Sequence, residues 1–182
     1  MNFKGQIQSI FGPMFSGKTS ELIRKIKRYN LAKKKCLVIN FSKDNRYSSE
    51  NKICSHDLVS IPAIKTHYLK DISSSFIADK QVIGIDEGQF FDDIVEMSQK
   101  WANEGKIVIV AALDSSFKMQ PFKKVTELLA ISEFVQKLSA VCMECGNDAA
   151  FTKRIIEEDS LELVGGIDSY KPVCRKCFFT KN

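Results

Sequence analysis

An α/β fold is what this sequence predicts: a parallel sheet flanked by helices, with a small β subdomain appended at its C-terminal end. Three observations predict it. Short β-branched and apolar runs alternate with segments of helical periodicity as far as about Leu138. A glycine-bearing loop, Gly12-Pro13-Met14-Phe15-Ser16-Gly17-Lys18-Thr19, lies between the first strand-like run and the first helical one. Two Cys-x-x-Cys pairs, Cys142/Cys145 and Cys174/Cys177, fall where the alternation has stopped.

The elements follow in order. Gln6 to Phe11 reads as a strand and Ser20 to Lys34 as a helix. Leu22, Ile23, Ile26, Tyr29 and Leu31 form the apolar side of that helix, with Arg24, Lys25, Lys27 and Arg28 on the other. Cys36 to Phe41 is continuous and β-branched, as buried parallel strands are. Ser42 to Ile61 is polar and reads as a long functional loop. Ser73-Ser74-Ser75 is the nearest thing to a linker. Val82 to Ile85 is a strand followed at once by Asp86 and Glu87. Phe91 to Asn103 predicts a helix closed by Gly105, Lys106 to Leu113 a strand, and Val125 to Glu133 a further helix. Beyond Leu138, Ala149 to Ile156 and Leu161 to Val164 are strand-like, with a Gly165-Gly166 turn after them. The expected division is an α/β domain over 1–138 and a metal-stapled β subdomain over 139–182, a size that usually needs such a staple.

Composition narrows the classes. The chain has 182 residues, 44% hydrophobic and 27% charged, which excludes disordered and fibrous proteins. Its net charge of +5 suits anionic ligands but falls short of a nucleic-acid-coating charge. No apolar run approaches the length of a membrane span, and the first residues lack the apolar core of an export signal, so a cytoplasmic location is expected. Six cysteines in that compartment argue for thiols or metal ligands over disulfides.

The loop at Gly12 to Thr19 has the Gly-x4-Gly-Lys-Thr spacing of a phosphate-binding loop. Its glycines let backbone N–H groups converge on a polyphosphate, and the helix N-terminus adds partial positive charge. Lys18 would neutralise the outer phosphates and Thr19 would ligate Mg²⁺. Asp86, at the end of an apolar strand, is the second Mg²⁺ ligand such proteins need. Glu87 is the candidate general base for a transfer onto a hydroxyl; the alternative is that it caps the following helix or orients water. The four paired cysteines, with 28 residues between the pairs, have the spacing of a closed structural zinc site, redox use being the alternative. Cys36 reads as core and Cys54 is assigned nothing. Phe90, Phe117 and Phe122 follow strand ends, where a flat base could stack or where they could simply pack into the core.

Taken together, GPMFSGKT, KDNRYSS (43–49), IDEGQFF (85–91), AALDSSF (111–117), CMEC and GGIDSY (165–170) resemble the type II, cytosolic-type thymidine kinases, in order from Gly5 to Cys177. The resemblance implies ATP- and Mg²⁺-dependent phosphorylation of the thymidine 5′-hydroxyl, structural zinc, a homotetramer and feedback inhibition by thymidine triphosphate. It implies that Gly12 to Thr19 (Gly12, Pro13, Met14, Phe15, Ser16, Gly17, Lys18, Thr19) hold the phosphates. Asp44, Asn45, Arg46, Gly88 and Gln89 would lie by the nucleotide, with Asp86 at Mg²⁺ and Glu87 as base. The nucleoside would be met by Met14, Leu113, Phe117 and Thr152, while Phe90 and Phe122 are candidates by their place after strand ends alone. Leu161, Glu162, Leu163, Val164, Gly165 and Tyr170 would belong to a lasso-like lid over thymine, anchored between the cysteine pairs.

Two departures stand out. Ser115 occupies the place of a usual glycine, which touches the pose of Phe117. The chain also ends soon after Cys177, so the regulatory tail of animal members is expected to be absent. Two other readings compete. One is a phosphate-loop kinase or ATPase of different substrate. The other is a zinc-ribbon nucleic-acid binder that uses ATP as a switch. Glu157, Glu158, Asp159 and Glu162 lie between the cysteine pairs, where a phosphate backbone would need cations. The expected partners are therefore thymidine and ATP, with neither nucleic acid nor membrane.

Overall fold

A computed structural model describes residues 5–42, 52–54, 59–156 and 168–180. Six strands form a parallel sheet. They are β1 (Gln6–Gly12), β2 (Cys36–Phe41), β5 (Ile64–Thr66), β6 (Val82–Ile85), β7 (Ile107–Leu113) and β8 (Phe134–Lys137), in the spatial order β5-β2-β6-β7-β1-β8. Between β2 and β5 in the chain, β3 (Lys52–Cys54) pairs antiparallel with β4 (Ser60–Pro62). The helices are α1 (Lys18–Leu31), α2 (Ser74–Ala78), α3 (Ile94–Asn103) and α4 (Lys123–Ala130).

Alternation along the strands sorts their side chains to two faces. Ile7 and Phe11 on β1, Leu37, Ile39 and Phe41 on β2, and Val108, Val110 and Ala112 on β7 join one core, which takes in Ile94, Met97 and Trp101 of α3 and Val125 and Leu128 of α4. Ile10, Val38, Val82, Ile109 and Ala111 face the other way and pack on Leu22, Ile23 and Ile26 of α1. Burial on both faces is why these strands read as unbroken apolar runs.

The C-terminal portion is built differently. Ala140–Val141 (β9) pairs with Asp148–Ala149 (β10), and Phe151–Arg154 (β11) pairs with Tyr170–Val173 (β12), both antiparallel. A one-turn helix, α5 (Arg175–Phe179), closes it. No described helix is long and apolar enough to cross a membrane.

Several expected boundaries move. The first helix begins at Lys18, because the phosphate loop feeds straight into it through Gly17, whose φ of 79° is left-handed. The expected helix from Phe91 starts at Ile94. Gly88–Phe90 is a 3₁₀ turn, and Phe91 itself is fully buried in the core. The expected helix over Val125 to Glu133 runs Lys123–Ala130, and β8, with two exposed apolar residues, was not foreseen. Ser42 to Ile61 includes β3 and the start of β4, and the serine run opens α2 rather than linking elements. The strand expected over Ala149 to Ile156 is broken between β10 and β11.

Candidate active site

Two strand ends place the phosphate loop and the acid side by side. β1 delivers the loop and β6 delivers Asp86, with β7 running between them. Asp86 is 5% exposed, and the Thr19 hydroxyl donates to it at 2.9 Å (Oδ2) and 3.2 Å (Oδ1). The two residues expected at Mg²⁺ are thus in contact. Paired hard oxygens beside a polyphosphate cradle are the donor set that Mg²⁺ takes. Within the loop, Lys18 Nζ donates to the Pro13 carbonyl at 2.6 Å and Ser16 Oγ to the same oxygen at 2.8 Å, so both side chains are folded over the cradle.

Glu87 follows Asp86 in a left-handed conformation, φ 55° and ψ 38°. A non-glycine residue is held there only where its surroundings impose it. The imposing contacts are close by. Gln89 Nε2 donates to Glu87 Oε2 at 2.6 Å, while Gln89 Oε1 accepts from the Leu113 N–H at 2.9 Å. Gly88 lies so near β7 that a Cβ there would stand 2.5 Å from Val110 Cγ1. The turn therefore holds the Glu87 carboxylate on Gln89, which is itself tied to β7. Sequence reasoning placed Gln89 only beside the nucleotide; nothing in its spacing signalled that it orients Glu87.

The residues expected at the nucleoside fall into three groups. Met14 is buried, and its N–H donates to Thr152 Oγ1 at 3.0 Å. Phe117 and Tyr170 are joined by Arg154. The guanidinium lies 3.7 Å from the Phe117 ring centroid, and its Nη2 donates to the Tyr170 hydroxyl at 2.6 Å. Arg154 was missed, since a lone arginine on a short strand carries no sequence signal. Phe90 and Phe122 are half-buried against the main core, Phe90 with its ring 5.3 Å from that of Phe41. For these two, core packing is what the structure records. Asp44, Asn45, Arg46 and Leu161, Glu162, Leu163, Val164 and Gly165 lie outside the described residues.

The four paired cysteines converge: their Sγ atoms all lie within 4.8 Å of one another. Four sulfurs at about 2.3 Å from a tetrahedral ion would stand about 3.8 Å apart; Cys145 Sγ and Cys174 Sγ are 3.7 Å apart. Second contacts orient the ligands. Asn147 Nδ2 donates to Cys145 Sγ at 3.4 Å and the Cys177 N–H to Cys174 Sγ at 3.5 Å. Burial raises the Cys142 pKa, but N–H groups of Cys174, Glu144 and Cys145 outweigh it and bring it down to about 6. Cys177 is pushed up to about 12 by its hydrogen bonds with Cys145 and Cys174. Four sulfurs converging at these separations fit a thiophilic cation such as zinc.

A parallel sheet with a phosphate loop on one strand, a buried acid on another and a glutamate beside it defines a phosphate-loop nucleotide-binding protein. The "Thymidine kinase" family model matches residues 5–178, and the chain belongs to that family. It is 52% identical over 177 residues to thymidine kinase 1 of Dictyostelium discoideum, covering 96% of this chain and 78% of that protein. It is 52% identical over 174 residues to the thymidine kinase of Vaccinia virus (strain Western Reserve), covering 96% and 97%. It is 51% identical over 177 residues to that of Myxoma virus (strain Uriarra), covering 97% and 98%.

Proposed function

We propose that this protein transfers the γ-phosphoryl group of ATP to the 5′-hydroxyl of thymidine and, less efficiently, of deoxyuridine. Glu87 carries the reading: a carboxylate clamped next to the Thr19–Asp86 pair, at the edge where the loop would hold the triphosphate. Loop N–H groups and Lys18 bind the phosphates, and Thr19 and Asp86 hold Mg²⁺. Mg²⁺ would neutralise the charge that develops on the transferring group and on the departing diphosphate. Glu87 takes the 5′-hydroxyl proton as the oxygen–phosphorus bond forms and the bond to the diphosphate breaks. Gln89 holds that carboxylate in register. Met14, Leu113, Phe117, Thr152 and Tyr170 line the nucleoside, with Phe90 and Phe122 behind them. Residues 139–182 form a subdomain stapled by zinc at Cys142, Cys145, Cys174 and Cys177. Family likeness extends the reading to a cytoplasmic homotetramer inhibited by thymidine triphosphate.

Initial rates over a panel of deoxynucleosides test it. A site built for the N3–H and O4 of thymine leaves buried groups unpaired against cytosine, at several powers of ten in kcat/KM. Loss of the 5-methyl group costs about 10- to 200-fold. The expected order is thymidine, deoxyuridine, then deoxycytidine and purines far behind. Comparable kcat/KM for thymidine and deoxycytidine would overturn it.

A further inference from the structure

The phosphate loop is fastened to the four-cysteine unit at two points. Phe15 is the first. Its position in Gly-x4-Gly-Lys-Thr is open to any residue as far as phosphate binding goes. Here the half-buried ring packs against the small core of the cysteine unit. That core is formed by Ala140, Cys142, Ala149 and Val173, with Phe151, Cys174, Cys177 and Phe178 at its margin. Phe15 has a φ of 65°, a conformation that a non-glycine residue keeps only where packing imposes it. Three of the four cysteines belong to this one cluster. The second point is the bond from the Met14 N–H to Thr152 Oγ1, a buried contact with Thr152 only 4% exposed. Thr152 stands opposite Pro172 in the β11–β12 ladder, and β12 leads directly to Cys174.

We propose that Phe15 and Thr152 couple the two sites, so that metal at the four cysteines and triphosphate at the loop bind cooperatively. The inference rests on the reading above that the cysteines hold zinc and the loop holds ATP. Binding energy at a structural zinc site is folding energy of the unit that supplies the ligands. Without metal the small core loosens, Phe15 loses its socket and the loop loses the support that keeps its N–H groups convergent. Linkage makes the effect reciprocal: triphosphate that orders the loop tightens the socket and holds the metal by the same factor. Phe15 and Thr152 are positioning residues in this scheme.

The test uses the full chain and two binding measurements, with no turnover. The first is the Kd of a non-hydrolysable ATP analogue with Mg²⁺, by calorimetry, on zinc-loaded and chelator-stripped protein. The second is the rate of zinc release to a chromogenic chelator, with and without the analogue. In the wild type, stripping weakens the analogue about five- to tenfold and the analogue slows zinc release by a similar factor. Zinc-loaded F15A binds the analogue about as weakly as stripped wild type, and its zinc release ignores the analogue. F15L, which refills the socket, restores most of the coupling. T152V, which removes the acceptor, shows a smaller loss in the same direction. The zinc-loaded variants keep the test decisive if the stripped wild type unfolds. Zinc release in the wild type indifferent to the analogue, or full coupling in F15A, overturns the proposal and leaves the kinase reading standing. A wild type that binds no zinc or no triphosphate overturns both.

Discussion

The sheet edge and the four-cysteine unit hold their geometry by different means. The edge rests on two large cores, one on each face of the sheet, with side chains from β1, β2, β6 and β7 locked against four helices. Packing of that kind can keep a strained turn such as Glu87 in place. Among the described residues, the cysteine unit's own cluster buries Ala140, Cys142, Ala149 and Val173, its ladders have two strands each, and α5 has no buried residue. So small a core does not fold a unit by itself. In the proposed mechanism the reacting groups therefore sit on the side that packing makes rigid, while the cysteine unit lends Thr152 and Tyr170. The difference teaches where each kind of damage should be felt.

The largest effect should come from the rigid side. Asp86→Asn keeps the shape but weakens the hold on Mg²⁺, and stabilisation by such an ion is worth several kcal/mol. At sub-saturating Mg²⁺ the rate should fall by about 10³-fold or more, with part of the loss recovered as Mg²⁺ is raised. Activity within tenfold of wild type would remove Asp86 from the metal.

Damage to the other side should leave the sheet itself intact. Cys174→Ser should cut zinc from about one per chain to a small fraction and raise the thymidine KM about tenfold. Hydrogen exchange should then show lost protection over β11 and β12 with β1 and β7 unchanged. Uniform loss over both regions would erase the comparison. Zinc retention should also strengthen as pH rises, because bound ligands are thiolates and protons compete for them. The Cys142 thiol, at about 6, gives up its proton readily, whereas Cys177, at about 12, must be deprotonated by the metal. A chelator titration between pH 6 and pH 8 that shows no rise in affinity would contradict this.

How much of this was legible in the sequence follows the same divide. The central strands read true because burial on both faces writes itself as an unbroken apolar run, as in Cys36–Phe41 and Val82–Ile85. Edge elements were missed. β8 is half exposed, with Phe134 and Val135 facing outward, and β5 spans three residues, too few to show a period. At the site, Lys18, Thr19, Asp86, Glu87 and the cysteines announce themselves by spacing. Gln89 and Arg154 act through contacts between segments far apart in the chain, 24 residues from Gln89 to Leu113 and 16 from Arg154 to Tyr170. No local pattern encodes such pairs. Phe15 reads from the sequence as part of the loop, and only the fold shows that its ring packs against the cysteine unit.

The smallest predicted effect sharpens the account of the strained turn. Gly88→Ala sets a Cβ 2.5 Å from Val110 Cγ1 and should cost about 1–3 kcal/mol in thermal or urea unfolding. Because the turn moves with it, kcat should drop before the thymidine KM changes. An unchanged melting temperature would mean that the turn has more room than the packing shows.

The central claim is that Glu87, braced by Gln89, is the base. Glu87→Gln preserves shape and removes proton acceptance. The paired measurement is kcat by steady-state kinetics and thymidine Kd by calorimetry on the same preparation. The account predicts a fall in kcat of about 10²- to 10⁴-fold with Kd within about threefold of wild type. A variant that keeps more than about a third of wild-type kcat would contradict it.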